Sequence, residues 1–333
     1  MDQWNRILLW VAGIGTAGAM GGCQQADPAE HRRLTGMAAY VQGYHAYQEG
    51  DRDAAVRALA QAIDNNPGLI TARGMLADIY RREGNYEQAA THYERLTDLD
   101  PYDYRNFYHL GVSYHFLERV RAAAAAYEDA LRLKPNDANA NMNLGLAYMV
   151  LGETQRALPH ARRATELLPE SAAAWGNYAL VLDSVGEHEQ AEQAYGRSLE
   201  MDPRQVGVRI NYSTHLIRRD RPREAIPILE QVVAEHRSVL ALRRLGDAYA
   251  AAGNADRAVD FYRQSLDLNP QYYPAINAIA DLRIRQYQEG LQLDESLRKQ
   301  AIELWRQSLA IHPQQPAVSQ QVEKWENIGL FGS

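Results

Sequence analysis

The chain has 333 residues, a single cysteine and a formal net charge of −7, with acidic residues outnumbering Lys and Arg by 42 to 35. One cysteine excludes an intramolecular disulfide, and an acidic chain with no long basic tract disfavours nucleic acid as a partner. The densest cationic run, Arg218, Arg219, Arg221 and Arg223, is broken by Asp220 and Pro222 and reads as a solvated turn.

Residues 1–22 read as a targeting segment: Arg6, then Ile7-Leu8-Leu9-Trp10-Val11-Ala12, then small residues to Gly22. The stretch is too short and too rich in glycine for a comfortable membrane span. Gly13-Ile14-Gly15-Thr16-Ala17-Gly18 fits GxGxxG, but a dinucleotide site needs that motif inside a βαβ unit. Asp27-Pro28 and a polar helical stretch follow instead, so the match is a coincidence. The segment ends Met20-Gly21-Gly22-Cys23, which resembles the lipobox of bacterial lipoproteins, with Met20 where leucine is usual. That resemblance implies cleavage before Cys23, lipidation of Cys23 and, with Gln24 following, a place in the cell envelope on the periplasmic face of the outer membrane. An uncleaved anchor or an ordinary cleaved signal also fits residues 1–22. Residues 23–35 form a short tether and the start of a helix.

From residue 36 a period takes over. Gly43, Gly111 and Gly145 each precede an alanine by twelve residues (Ala55, Ala123, Ala157), and each alanine precedes a proline by twelve (Pro67, Pro135, Pro169). Pro101, Pro203 and Pro270 extend the series, mostly at intervals of 34. A fixed period in this range marks stacked units that bury their apolar faces against one another. Eight units follow: 36–69, 70–103, 104–137, 138–171, 172–205, 206–238, 239–272 and 273–315.

Within each half-unit the apolar residues recur at helical spacing, as in Leu110 to Tyr114 and Ala123 to Tyr127 to Ala130. Small residues stand where two helices approach. Gly84, Gly152, Gly186 and Gly253 stand where the chain turns between them, and each of the periodic prolines follows a second helix. Unit six ends one residue early, with Arg237 in place of the proline. Unit eight carries about nine additional residues around Tyr287 to Leu297, which predicts a longer first helix and a protruding loop. Residues 316–333 form a capping helix and tail, with Val318, Val322, Trp325 and Ile328 as its apolar stripe and Trp325 in the core.

These units resemble the tetratricopeptide repeat family, whose pattern is W-x2-L-G-x2-Y, then A-x3-F, then P. Unit three carries it at Phe107, Leu110, Gly111, Tyr114, Ala123, Tyr127 and Pro135; unit seven at Leu245, Gly246, Tyr249, Ala258, Tyr262 and Pro270. The resemblance covers about 36–315. It implies an all-α, right-handed superhelical solenoid of about eight helix-turn-helix repeats, closed by the capping helix. It also implies that first helices line a concave groove for a peptide or helix. Groove candidates are Tyr108, His109, Phe116, Met142, Asn143, Leu146, Met149, Asn177, Leu180, Ile210, Asn211, Arg243 and Arg244; Tyr40, Tyr44 and Tyr47 form a stripe in unit one.

Units three and four offer an apolar, methionine-containing stripe, of the kind that suits an adaptable binding surface or packs between neighbouring helices. Asn143, Asn177 and Asn211 lie 34 residues apart at one equivalent position. An amide both donates and accepts, so such a ladder can grip an extended backbone, and it resembles that of O-linked N-acetylglucosamine transferases.

No catalytic constellation stands out: HExxH and GxSxG are absent, and His109 and His115, six apart, do not share a helical face. The reading is therefore a non-catalytic scaffold or adaptor for envelope assembly, membrane-tethered through Cys23. It has a protein or peptide partner and is expected to use no cofactor, metal, nucleic acid or small-molecule substrate. A substrate-recruiting partner of a protein-modifying enzyme such as a glycosyltransferase is the alternative.

Overall fold

The computed structural model describes residues 27–290 and 293–327, and every regular element among them is an α-helix. The targeting segment, its GxGxxG match and Cys23 lie outside the described residues, as does Ile328. The chain divides into two compact units, one ending at Leu168 and the other starting at Pro169. The first contains α1 Pro28–Gln48, α2 Arg52–Asn65, α3 Ile70–Arg82, α4 Tyr86–Leu99, α5 Tyr104–Phe116, α6 Val120–Leu133, α7 Ala138–Val150 and α8 Thr154–Leu167. The second contains α9 Ala172–Val185, α10 His188–Met201, α11 Val206–Arg218, α12 Pro222–Glu235, α13 Val239–Ala251, α14 Ala255–Leu268, α15 Tyr273–Glu289, α16 Glu295–Ile311 and α17 Pro316–Asn327.

Odd and even helices pair through short turns, and the turn has one backbone demand. Gly50, Gly84, Gly152, Gly186 and Gly253 hold φ between +75° and +91°, a region open to glycine at little cost. At the matching place, Glu118 (φ 58°) and Asp220 (φ 59°) adopt it with a Cβ present, which costs on the order of 1–2 kcal/mol. Helix starts are capped by side chains in most units. Asp51, Asn85, Asp137, Ser171, Ser238 and Asn254 each accept a backbone N–H three residues on, and each such cap contributes about 1 kcal/mol.

The close contact inside each pair is made by small residues. Ala55, Ala89, Ala123, Ala157, Ala191, Ala225 and Ala258 are wholly buried on the second helices. On the first helices, a Cβ added to Gly111 would meet the Tyr127 ring at 2.6 Å, and one added to Gly246 would meet the Tyr262 ring at 2.5 Å. At Gly145 the nearest atom would be the Ala161 nitrogen at 3.4 Å, so that glycine has room. Tyrosine hydroxyls also tie one repeat to the last: Tyr114 donates to Glu94 (2.6 Å), Tyr148 to Glu128, and Tyr249 to Glu230 (2.5 Å).

Both ends of the repeat array carry longer helices than the repeats between them. Helix α1 begins at Pro28, capped by Asp27, eight residues before the first repeat starts. In unit eight the additional residues lengthen both helices, α15 and α16, to 17 residues each. Tyr287 is 2% exposed and packs with Trp305 and Trp325, so the end of α15 joins the core, while the described residues from Gln288 to Gly290 and from Leu293 to Ser296 lie at the surface. Trp325 is 3% exposed, as a cap residue should be.

Candidate binding face

In the first unit the candidates sit on α5 and α7. Phe116, at the end of α5, is 58% exposed and stacks on Tyr86 with ring centroids 4.3 Å apart. Val150 ends α7 at the equivalent repeat position and is 67% exposed. Met142, Leu146 and Met149 are half-buried. An apolar surface is thus left partly open on these first helices.

The polar candidates there are more constrained. Asn143 lies within hydrogen-bonding reach of the Tyr108 and Tyr127 hydroxyls, so its amide is partly engaged inside the unit. Burial raises the Tyr108 pKa and, followed by Arg81, lowers that of His109, whose ring packs on Tyr93 at 5.5 Å. His109 Nδ1 is buried without a hydrogen-bond partner. A neutral, half-buried imidazole of this kind suits an uncharged surface. In unit one Tyr40 and Tyr47 pack on the core, Tyr47 accepting from Arg82 (2.7 Å), while Tyr44 is 45% exposed.

In the second unit Asn177, Leu180 and Asn211 are half-buried on α9 and α11. Ile210 is not a groove residue. It is 6% exposed and packs with Leu216, Leu229 and Leu245, because its helix face turns toward α12 and α13. Arg243 and Arg244 are not free cations either. Asp247 Oδ2 pairs with Arg243 Nε at 3.3 Å and Arg244 Nη1 at 3.2 Å, and its Oδ1 accepts from the Tyr262 hydroxyl at 2.9 Å. Beside them lies a recess of about 240 Å³ bounded by Arg243, Asp247, Tyr262, Asp281 and Arg285. Asp281 accepts from Trp305 Nε1 (3.2 Å); the protein wall around it raises its pKa although its edge meets solvent. The cations Arg243 and Arg244 thus share a single carboxylate, and Asp281 and Arg285 lie beside them.

An acid on a first helix taking a hydrogen bond from an aromatic donor on the second recurs at Asp78 with Tyr93 (2.7 Å), Asp247 with Tyr262, and Asp281 with Trp305. The sequence reading missed this pairing. Its signal was the fifteen-residue interval from Asp to Tyr in units two and seven.

The chain matches the tetratricopeptide repeat family over residues 27–104, 108–167, 147–206 and 213–273. The chain belongs to the tetratricopeptide repeat family. Among solved structures, this repeat protein is similar to a tetratricopeptide repeat protein from Parabacteroides merdae, with TM-score 0.60, 17% identity, and 74% of this chain and 98% of the other covered. It is similar to the APC/C hetero-tetramer Cut9-Hcn1, with TM-score 0.61, 14% identity and coverage of 97% and 59%. It is also similar to PilW, a type IV pilus biogenesis factor, with TM-score 0.54, 22% identity and coverage of 61% and 94%. These are likenesses of fold. A curated relative, the photosystem I assembly protein Ycf3 of Rippkaea orientalis, is 34% identical over 77 residues, which are 22% of this repeat protein and 44% of that relative. Less than half of that relative is therefore matched. Proteins of this family serve in general as protein–protein interaction scaffolds, and the helical repeats here provide the same kind of surface. Among the described residues no helix is long and apolar enough to cross a membrane.

Proposed function

We propose that this chain is a membrane-tethered, non-catalytic adaptor in a bacterial envelope assembly, holding an extended peptide or helix of a partner against its first helices. The observation that carries the reading is the pair of uncovered apolar side chains, Phe116 and Val150, at equivalent ends of α5 and α7. Isolated apolar residues are ordinary on a surface, but these two stand at equivalent places one repeat apart, and partly open Met142, Leu146 and Met149 lie on the same helix as Val150. The tether rests on Met20-Gly21-Gly22-Cys23, and the periplasmic face of the outer membrane on Gln24. A role in pilus biogenesis is ascribed to PilW, a protein of the same fold, which lends the envelope reading support by analogy.

Two measurements test it. Radiolabelled palmitate should be incorporated by the wild type and lost in Cys23→Ser; label that survives this change removes the tether. A photo-crosslinking residue at position 116 or 150 should capture one defined envelope protein from intact cells, and one at the exposed Arg132 should not. Equal capture from all three positions removes the binding face.

A further inference from the structure

Three polar side chains in the second unit converge where their helix register alone would not predict it. Asp183 lies near the end of α9. Gly186 then turns the chain in the left-handed region (φ 91°), and His188 opens α10, so the turn folds His188 back over Asp183. His215 reaches the same point from α11. Its Nδ1 lies 2.8 Å from Asp183 Oδ1, and the Nδ1 of His188 lies 3.2 Å from that same oxygen. The three ligand atoms all fall within 4.8 Å of one another. The side chains of Asp183 and His215 are each 1% exposed, whereas that of His188 is 39% exposed and forms the rim.

Other repeats do not use these positions in this way. His215 stands where units three, four, five and seven have Ser113, Ala147, Val181 and Ala248. Small or aliphatic residues suffice for packing there, so a buried imidazole beside a buried carboxylate is a local departure. One carboxylate oxygen faces two imidazole nitrogens while the other, Oδ2, takes Arg218 from α11. In addition, His215 Nε2 and the Tyr195 hydroxyl beside it are buried without hydrogen-bond partners.

We propose that Asp183, His188 and His215 form a binding site for a divalent transition-metal ion of the zinc type. Two imidazole nitrogens and one carboxylate oxygen are the borderline donor set that zinc, cobalt, nickel and copper prefer over magnesium or calcium. A tetrahedral zinc ion bound at about 2.05 Å sets its ligands about 3.3 Å apart. The two spacings to Asp183, 2.8 and 3.2 Å, are close to that value, and the ligand atoms all lie within 4.8 Å, so the exposed rim histidine is the ligand that would adjust to admit an ion. Arg218 holds Oδ2 and so aims Oδ1 inward, as a hydrogen-bonded ligand carboxylate requires. The three protein ligands leave a fourth position for water on the His188 side. Since the ligands come from α9, α10 and α11, the ion would clamp the fifth repeat to the sixth.

The test uses the full untagged chain. Titration calorimetry with zinc should show one site, and cobalt should give the visible absorption of a nitrogen-ligated tetrahedral ion. His188→Ala, at the exposed rim, should keep the metal-free fold and its melting temperature but lose at least about 10-fold in zinc affinity and the cobalt spectrum. Asp183→Asn should do the same if it folds, and His236→Ala, an exposed histidine of the same unit, should change nothing. Zinc should raise the melting temperature of the wild type and not of His188→Ala. Absence of zinc uptake by the wild type overturns the proposal. So does uptake with equal affinity in His188→Ala, which would place the ion on other histidines.

Discussion

The two compact units are built from the same repeat and share the acid–aromatic pairs Asp78 with Tyr93 and Asp247 with Tyr262, yet α5 and α7 of one and α9, α11 and α13 of the other present different side chains. In the unit ending at Leu168, α5 and α7 leave Phe116 and Val150 open, and burial lowers the pKa of His109 on α5, as it does for His92 and His160 on the second helices α4 and α8. In the unit starting at Pro169, the corresponding helices hold Asp183 with His215 and Arg218, and Asp247 with Arg243 and Arg244. The packing positions barely differ: the buried alanine of the second helix is kept in both. A repeat thus fixes its contact residues and frees the others, so the scaffold can vary its surface along its length without altering its fold.

The largest effect expected is confined to the second unit. Trp305 is 2% exposed and donates to Asp281, so Trp305→Ala should cost about 3–5 kcal/mol. Hydrogen exchange should show protection lost in α15 to α17 while α1 to α8 keep theirs. Loss spread evenly over both units would show that they unfold as one.

A smaller contrast lies within the first unit. Gly111→Leu drives a side chain into the Tyr127 ring and should destabilise by roughly 1–3 kcal/mol. Gly145→Ala has room at 3.4 Å and should be neutral or gain up to about 1 kcal/mol from helix propensity. Urea denaturation of both variants distinguishes the cases, and equal destabilisation would remove the claim that the two glycines play different parts.

The turn residues allow a finer comparison across the units. Glu118→Gly should stabilise by about 0.5–1 kcal/mol because it relieves a left-handed Cβ. Asp220→Gly should gain less, since aspartate tolerates this conformation better. Thermal melts of the two variants read the difference directly, and a larger gain at Asp220 would contradict the backbone argument.

The smallest effect is a slope. Burial lowers the pKa of His92, His109 and His160, so the folded first unit favours their neutral rings. Stability from this source is complete above the unfolded value of about 6.5 and falls as pH drops through it toward the folded values. Amide protection in α4 to α8 should therefore decline below about pH 6.5, and replacing the three histidines with glutamine should flatten that decline. An unchanged slope in the triple variant would assign the acid sensitivity to carboxylates such as Asp103, held low by its hydrogen bond from Arg105.

By itself the sequence determined the helical pairs, the buried alanines, the turn glycines and the apolar cap around Trp325. Each depends on spacing within one repeat or on the next repeat in line, and the chain writes that spacing out as a period. Tertiary structure decided which groove candidates are available. Asn143 meets Tyr108 and Tyr127, Asp247 is shared between Arg243 and Arg244, and Ile210 turns into the core. It also brought His188 and His215 onto Asp183, 5 and 32 residues away. None of these outcomes follows from a residue's type or its place in the period. A side chain's freedom is set by what the adjoining helices place against it, and in a solenoid those neighbours lie up to a full repeat away.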